Sequence, residues 1–548
     1  MNDAQGNKTQ PILDIRGLTV RLPASADREN AVEDVSFSVL PEEILCVVGE
    51  SGSGKSVTAH TVMGLLPPKQ LQPTAGQVLL QGEDLLKKTP NQMRDLRGAR
   101  MSMIFQEPMT ALNPLMSVGA QIEEILQIHT QMSAREREAR VIEVMRAVSL
   151  PEPERLIHSY PHQLSGGQRQ RVMIAGALAL EPVLLIADEP TTALDVTTQA
   201  QILKLIKDIQ RTHGTAVLFI THDFGVVAEI ADRVVVMQHG KVVEQGVART
   251  VLKNPQHPYT RMLISSVPSM TPPVRPPKDS APVVLETRDL CKTYRDRSLF
   301  RAARETRAAH NVELSVRRGE TLGIVGESGS GKSTVARCIV RLISPSSGQI
   351  LIDNNDIANL SSSRLRENRR LVQIVFQDPY RSLNPRRTVG ASIVEGPMNF
   401  GVSRAEALTR AQDLMKLVGL DPHALDRFPH QFSGGQRQRI CIARALAMKP
   451  EVLIADEPVS ALDVSVQAQV LELLDDIRKR FNLAILFITH DLRVAAQICD
   501  RIAVMYKGEI VEHGPAAEVF RAPQHDYTQA LFNAAPGRDF EFGKFEAA

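Results

Sequence analysis

Apolar residues fall along this chain in two rhythms. Short, nearly unbroken runs such as Ile44 to Val48, Met101 to Phe105, Val183 to Ala187 and Val217 to Thr221 have the length and composition of strands buried on both faces. Between them lie stretches with a helical period. Ile202, Leu205, Ile206 and Ile209, at i, i+3, i+4 and i+7, share one helix face, which predicts an amphipathic helix packed on a core. Strand-like runs alternating with helical patterns predict a mostly parallel α/β sheet.

The same alternation then starts again. The runs Thr321 to Val325, Leu371 to Phe376, Val452 to Ala455 and Ile485 to Thr489 repeat the first set, and Val470, Leu473, Leu474 and Ile477 repeat the stripe. Landmarks set the register of the repeat. Lys55 and Lys332 are 277 residues apart, Gln106 and Gln377 are 271 apart, and the pairs Ser165/Ser433, Glu189/Glu457 and His222/His490 are each 268 apart. Spacing drifts early and then locks, so distance matters most between the serine and the histidine. Thr271-Pro-Pro-Val-Arg-Pro-Pro-Lys-Asp-Ser-Ala-Pro282 cannot form a helix or central strand and reads as a semi-extended linker. The expected organisation is a first domain over 1–270, a linker over 271–282 and a second domain over 283–548. Between each Gln and each Ser landmark, a helical segment opens with a capping box, Ser133-Ala-Arg-Glu136 and Ser403-Arg-Ala-Glu406. These segments read as an α-helical subdomain inserted into each α/β core.

Each first strand runs into the same eight residues. Gly49, Glu50, Ser51, Gly52, Ser53, Gly54, Lys55 and Ser56 recur letter for letter as Gly326, Glu327, Ser328, Gly329, Ser330, Gly331, Lys332 and Ser333, and a helical stretch follows each copy. The pattern G-x-x-x-x-G-K-[ST] between strand and helix is that of a phosphate-binding loop. Its glycines let backbone N–H groups curl around phosphates, its lysine reaches the β- and γ-phosphates, and its hydroxyl ligates Mg²⁺.

Two more strand runs end in paired acids, Asp188-Glu189 and Asp456-Glu457, each followed by proline. Ligands of open α/β sheets bind at the carboxyl ends of parallel strands, so these acids are expected beside the loop. Asp188 and Asp456 are then candidates for the Mg²⁺ shell, and Glu189 and Glu457 for orienting and polarising the attacking water. Gln106 and Gln377 close strands and fit either contact with Mg²⁺ or water or a plain polar strand end. His222 and His490 also close strands. Their identical distance of 33 residues from Glu189 and Glu457 favours a role at the γ-phosphate. A further block, Ser165-Gly166-Gly167-Gln168, recurs as Ser433-Gly434-Gly435-Gln436 and opens a helical stretch. Arg169, Arg171, Arg437 and Arg439 follow it, placing positive charge where the helix dipole is already positive. A nearby anion would relieve this, and so would solvent screening.

Charge and cysteine content narrow the setting. A net charge of +2 with 23% charged residues gives no strong pull toward nucleic acid or anionic lipid. Five scattered cysteines without C-x-x-C spacing fit reduced core thiols of a cytosolic protein. No apolar run approaches the ~18 residues of a membrane span.

Phosphate loop, Gln, S-G-G-Q, Asp-Glu, Ala-Leu-Asp (ending at Asp195 and Asp463) and His, in this order and twice over, resemble the ATP-binding cassette (ABC) ATPases across nearly the whole chain. The resemblance implies two tandem P-loop ATPase domains in a head-to-tail sandwich, with ATP and Mg²⁺ as cofactors. One composite site would join Lys55, Ser56, Gln106, Asp188, Glu189 and His222 with Ser433 and Gly435; the other, Lys332, Ser333, Gln377, Asp456, Glu457 and His490 with Ser165 and Gly167. Phe105-Gln-Glu-Pro-Met-Thr-Ala-Leu-Asn-Pro114, Phe376-Gln-Asp-Pro-Tyr-Arg-Ser-Leu-Asn-Pro385, Asn254-Pro-Gln-His-Pro-Tyr-Thr260 and Pro523-Gln-His-Asp-Tyr-Thr528 look like the peptide and nickel importer branch. Fused twin ATPases of glutathione and dipeptide importers look most similar. The branch implies a peripheral protein on the cytoplasmic face of the inner membrane, working with two membrane permease subunits and, indirectly, a periplasmic solute-binding protein. It implies no nucleic acid partner, and without the cysteine cluster that some members carry, no iron–sulfur site. A soluble twin cassette acting on ribosomes is the alternative, set back by the short, proline-rich linker, and a DNA-repair ATPase is a third reading, set back by the lack of zinc-type cysteines and of a long coiled-coil insertion. The family stacks adenine on an aromatic ahead of the loop. Tyr294 suits that place in the second half, but the first half has Leu22.

Overall fold

The computed structural model describes residues 10–545 except 25, 27, 193, 297–303 and 461. By compactness the chain divides into two units, Met1–Val267 with Pro536–Ala548, and Pro268–Ala535. The segment 271–282 therefore groups with the second unit and the end of the chain with the first.

A six-stranded sheet forms the core of the first unit. Ile44–Val48 lies between Ala216–Ile220 and Arg233–Gln238, parallel to both. Leu184–Asp188 and then Met101–Ile104 continue the sheet in parallel, and only Lys241–Val247 at the opposite edge is antiparallel. Every residue of the strands 44–48, 101–104, 184–188 and 216–220 is buried, which is why they read as apolar runs without alternation. Ile202, Ile206 and Ile209 are buried on the predicted helix face, and Leu205 packs half-buried beside them. Helices Val118–His129 and Ala134–Ala147 lie between the Gln and Ser landmarks, as expected of an inserted subdomain. Ser133 and Glu136 form the full reciprocal cap there.

The second unit repeats this order, with Thr321–Val325 between Ala484–Thr489 and Arg501–Tyr506 and with Val452–Asp456 and Val372–Val375 outside. Its inserted helices are Val389–Asn399 and Arg404–Leu417. Here the expected capping box is only half made. Ser403 accepts from the Glu406 N–H, but the Glu406 carboxylate turns to Arg410 one helical turn on, an i,i+4 ion pair at 3.0 Å.

Each unit also has a four-stranded antiparallel sheet that the apolar runs do not announce. Leu13–Arg21 pairs with Asn30–Val39 and Gln72–Leu80, and Val283–Asp296 pairs with Arg304–Arg317 and Ser347–Ile352. Bulges between Ile15 and Leu18 and between Thr287 and Leu290 break the two-residue alternation that would have marked these strands.

The tails close the units in matching fashion. Phe540, Phe542 and Phe545 pack on the core of the first unit, and the Pro536 carbonyl sits where a side chain on Gly225 would go. Arg493 holds the repeat position of Gly225 in the second unit, and its buried guanidinium donates to the Pro268 carbonyl at 3.2 Å. Arg275 donates to the carbonyls of Gln497 and Ile498. Pro268 and Pro536 are 268 residues apart, so the crossover itself follows the repeat. All five cysteines are free and four are buried; burial pushes Cys338 and Cys441 up to about 11, as inert core thiols require.

Candidate active sites

Parallel strands bring the candidate residues of each unit together at one end of its sheet. Ile44–Val48 leads into the candidate phosphate loop, Leu184–Asp188 into Glu189, and Ala216–Ile220 into His222. The loop needs its glycines for conformational reasons. Gly54 and Gly331, at the N-caps of helices Lys55–Met63 and Lys332–Ile339, have φ of 102° and 112°. Those helices turn their N-terminal, positive dipole ends toward the loop, where an anion is favoured.

The first set is tightly connected. Lys55 Nζ donates to the carbonyls of Gly49 at 2.7 Å and Glu50 at 3.0 Å. Ser56 donates to Asp188 Oδ1 at 3.0 Å. Glu189 accepts from Gln106 Nε2 at 2.9 Å and lies 3.2 Å from His222 Nδ1. Thr192 donates to the same carboxylate at 2.9 Å, a contact missed in the sequence although the hydroxyl stands three residues past Glu189 in a proline turn.

The second set repeats these contacts apart from that of Thr192, since Ser460 at its repeat position donates to the Glu457 backbone carbonyl at 3.2 Å. Lys332 Nζ donates to the carbonyls of Gly326 and Glu327, both at 2.7 Å, and Ser333 to Asp456 at 2.9 Å. Gln377 Nε2 lies 2.8 Å from Glu457 and His490 Nδ1 3.2 Å. Glu189 and Glu457 both adopt left-handed backbone, φ 46° and 48°, which costs a non-glycine residue roughly 1 kcal/mol or more. Strain kept at the same place in both units aims the two carboxylates at the loop side of the sheet.

Electrostatics separate the adjacent acids. Burial, with the neighbouring glutamate charge, raises Asp188 and Asp456 above the ordinary aspartate range, against the opposing bonds from Ser56 and Ser333. A cation held by this carboxylate and hydroxyl would remove that penalty, and hard oxygen donors of this kind suit Mg²⁺. Burial also pushes Glu189 and Glu457 upward, but hydrogen bonding and charge from His222 and His490 outweigh it and leave both below the ordinary glutamate value. Desolvation pulls His490 down, and the bond and charge of Glu457 overcome it, so its pKa is raised.

The pair in the second unit therefore has a pH window. Raised His490 contributes stability fully below its ordinary value of 6.5 and loses it as pH rises through its folded pKa. Depressed Glu457 contributes above 4.5 and loses it as pH falls through its own folded pKa. The Tm deficit of His490→Gln, about 2–4 °C for a pair worth about 1 kcal/mol, is thus expected to be greatest between 4.5 and 6.5 and to shrink as pH rises through the folded pKa of His490. A deficit independent of pH contradicts the pairing.

The S-G-G-Q blocks are helix caps. Ser165 Oγ accepts from the Gln168 N–H at 3.2 Å and Gln168 Oε1 from the Ser165 N–H at 2.9 Å; Ser433 and Gln436 do the same at 3.3 and 3.0 Å. This cap was legible as S-x-x-Q and was overlooked. Gly166, Gly167, Gly434 and Gly435 form the first turns. The arginines behind them bond to carbonyls instead of awaiting an anion: Arg169 to Leu164 at 2.7 Å, Arg171 to Val148 at 2.7 Å, Arg437 to Phe432 at 2.9 Å and Arg439 to Val418 at 3.2 Å. Tyr294 is 44% exposed near the end of its strand, and the ladder aligning Leu13 with Leu80 and Leu285 with Ile352 puts Leu22 at the same place in the first unit.

The chain belongs to the ABC transporter family of ATP-binding domains, whose model matches residues 32–192 and again 309–460. A second model, the C-terminal region of oligopeptide/dipeptide transporters, matches residues 243–303 and 511–546. The peptidoglycan transport ATP-binding protein YejF of Agrobacterium fabrum is 48% identical over 531 residues, covering 96% of this chain and 97% of its own length. The glutathione import ATP-binding protein GsiA of Escherichia coli (strain K12) is 47% identical over 557 residues, covering 96% and 89%. The protein is thus an ATPase built of two ABC cassettes. Among the described residues no helix is long and apolar enough to cross a membrane.

Proposed function

We propose that this chain is the ATP-hydrolysing, energy-coupling subunit of an importer for peptides, of the dipeptide, oligopeptide or glutathione class. It works on the cytoplasmic face of the inner membrane with two permease subunits and, through them, a periplasmic solute-binding protein. The observation that carries the ATPase reading is the doubled constellation of lysine, serine, aspartate, glutamate, glutamine and histidine with matching bonds in both units. The import reading rests on the transporter C-terminal region present twice and on relatives named for glutathione import and peptidoglycan transport. Nothing comparable supports the ribosome-acting alternative.

In this reading the residues divide the work. Gly49–Ser56 and Gly326–Ser333 cradle the phosphates, and Lys55 and Lys332 leave loop carbonyls for the β- and γ-phosphates. Ser56, Asp188 and Gln106, and likewise Ser333, Asp456 and Gln377, hold Mg²⁺. When bound, the ion neutralises charge developing on the phosphates. Glu189 and Glu457, ionised at neutral pH, accept hydrogen bonds from water and orient it for attack, while His222 and His490 fix those carboxylates and donate as negative charge builds on the γ-phosphoryl group. Ser165–Gln168 and Ser433–Gln436 serve the nucleotide carried by the other cassette, as the family pattern implies, and Tyr294 stacks on adenine.

Purification from membranes tests the assignment. Two permease subunits are expected to accompany the chain, and the binding protein of that complex is expected to respond to a peptide panel. Recovery with ribosomes or DNA instead would overturn the import reading. Leu22→Tyr is expected to tighten nucleotide binding at the first site about 3- to 10-fold, the worth of one aromatic stacking contact, as read by ADP calorimetry. Equal affinities in parent and variant would remove the stacking argument.

A further inference from the structure

The two Asn/Ala-Pro-Gln-His segments near the cassette ends bring a tyrosine hydroxyl onto each phosphate loop. In the first unit the Glu50 N–H donates to Tyr259 Oη at 3.2 Å, and the Tyr259 hydroxyl donates to Glu50 Oε2, also at 3.2 Å. In the second, the Glu327 N–H donates to Tyr527 Oη at 3.1 Å. Some 200 residues separate the partners, so only the fold brings them together.

A chain of contacts places each ring. Glu244, on the edge strand Lys241–Val247, accepts from the N–H groups of Gln256 and His257 at 2.7 and 3.0 Å. His257 Nδ1 then accepts from the Tyr259 N–H at 3.2 Å and caps helix Pro258–Ser265, in which Tyr259 is 94% buried with its hydroxyl reaching the loop. Glu512, Gln524, His525 and Tyr527 repeat the arrangement at 2.8, 3.0 and 3.1 Å. In the second unit Tyr527 also stacks on Tyr506 with ring centroids 4.1 Å apart.

The geometry points to Tyr259 and Tyr527 as positioning residues that hold the entrance of each phosphate loop in its nucleotide-binding shape. The peptide units around Glu50 are gripped from two sides, by tyrosine at the N–H and by Lys55 at the carbonyl. When a nucleotide draws the lysine ammonium to its phosphates, the carbonyl grip weakens while the tyrosine grip remains. The loop then stays preorganised at the moment it binds, which favours affinity over the chemical step. The proposal rests on reading Gly49–Ser56 and Gly326–Ser333 as phosphate loops.

Tyr259→Phe and Tyr527→Phe, singly and together in the full chain, keep the ring and delete the hydroxyl. Each is expected to weaken ADP binding in calorimetry and to raise the KM for MgATP about 3- to 10-fold at the affected site, the weight of one or two hydrogen bonds, with kcat within about twofold and the nucleotide-free Tm lower by no more than the about 2–4 °C that one lost hydrogen bond gives. Unchanged affinity in both variants, or a loss of affinity that comes with a larger fall in nucleotide-free Tm and a matching fall in kcat, overturns the proposal. Lys55→Ala with Lys332→Ala separates the two levels of the argument. If that variant still binds ADP, the phosphate-loop reading itself fails; if it loses ADP while the phenylalanine variants bind like the parent, only the tyrosine role fails.

Discussion

Glu189→Gln combined with Glu457→Gln is expected to lower ATP turnover by about 10²- to 10⁴-fold while ATP remains bound. Each carboxylate sits against a glutamine amide and a histidine ring, at 2.9 and 3.2 Å in the first unit and 2.8 and 3.2 Å in the second. Glutamine preserves the size of the group and removes its negative charge, so water loses its anionic acceptor and the histidine loses its ionic partner. The phosphate loops are untouched by the change, and nucleotide affinity therefore persists. Phosphate release and retention of radiolabelled ATP on a filter read the two halves of this expectation. Hydrolysis above about a tenth of the parent rate would show that these carboxylates are not the ones that act.

Gly326→Ala is expected to disable the second site and destabilise its unit. Gly326 has φ 151°, and a Cβ there would lie 2.2 Å from the Met505 carbonyl oxygen, well inside contact distance. That carbonyl belongs to Arg501–Tyr506, a neighbour of the central strand, and cannot swing aside without loosening the sheet. Backbone strain and overpacking together cost about 3 kcal/mol, or about 6–12 °C in the Tm of a unit this size. Calorimetry is expected to count one bound nucleotide per chain instead of two. Two nucleotides and an unchanged Tm would rule out the strain argument.

What could be read from the sequence divides along physical lines. Strands buried on both faces were legible because nothing interrupts their apolar runs: Ile44–Val48 and Thr321–Val325 fold over the residues expected. The loop, acid, glutamine and histidine landmarks were legible because the same residue types recur in both halves in the same order, and the fold brings each set together. The antiparallel sheets were hidden by bulges, and the arginines after S-G-G-Q suggested an anion because their carbonyl partners, such as Val148 and Val418, lie outside the motif. Contacts across long separations carry no local signal. Tyr259 stands out in the sequence only as part of the repeated tail motif, and only the folded chain sets it on Glu50.

The crossed tails bear on how this protein is made. The aromatic cover of the first unit, Phe540, Phe542 and Phe545, is encoded at the far end of the chain. A domain emerging first from the ribosome ordinarily completes its core before the next one appears. Here the first unit is not covered until the second has been made, and a gene cut within 271–282 delivers a first protein without that aromatic cover and a second without the Pro268 carbonyl that Arg493 binds.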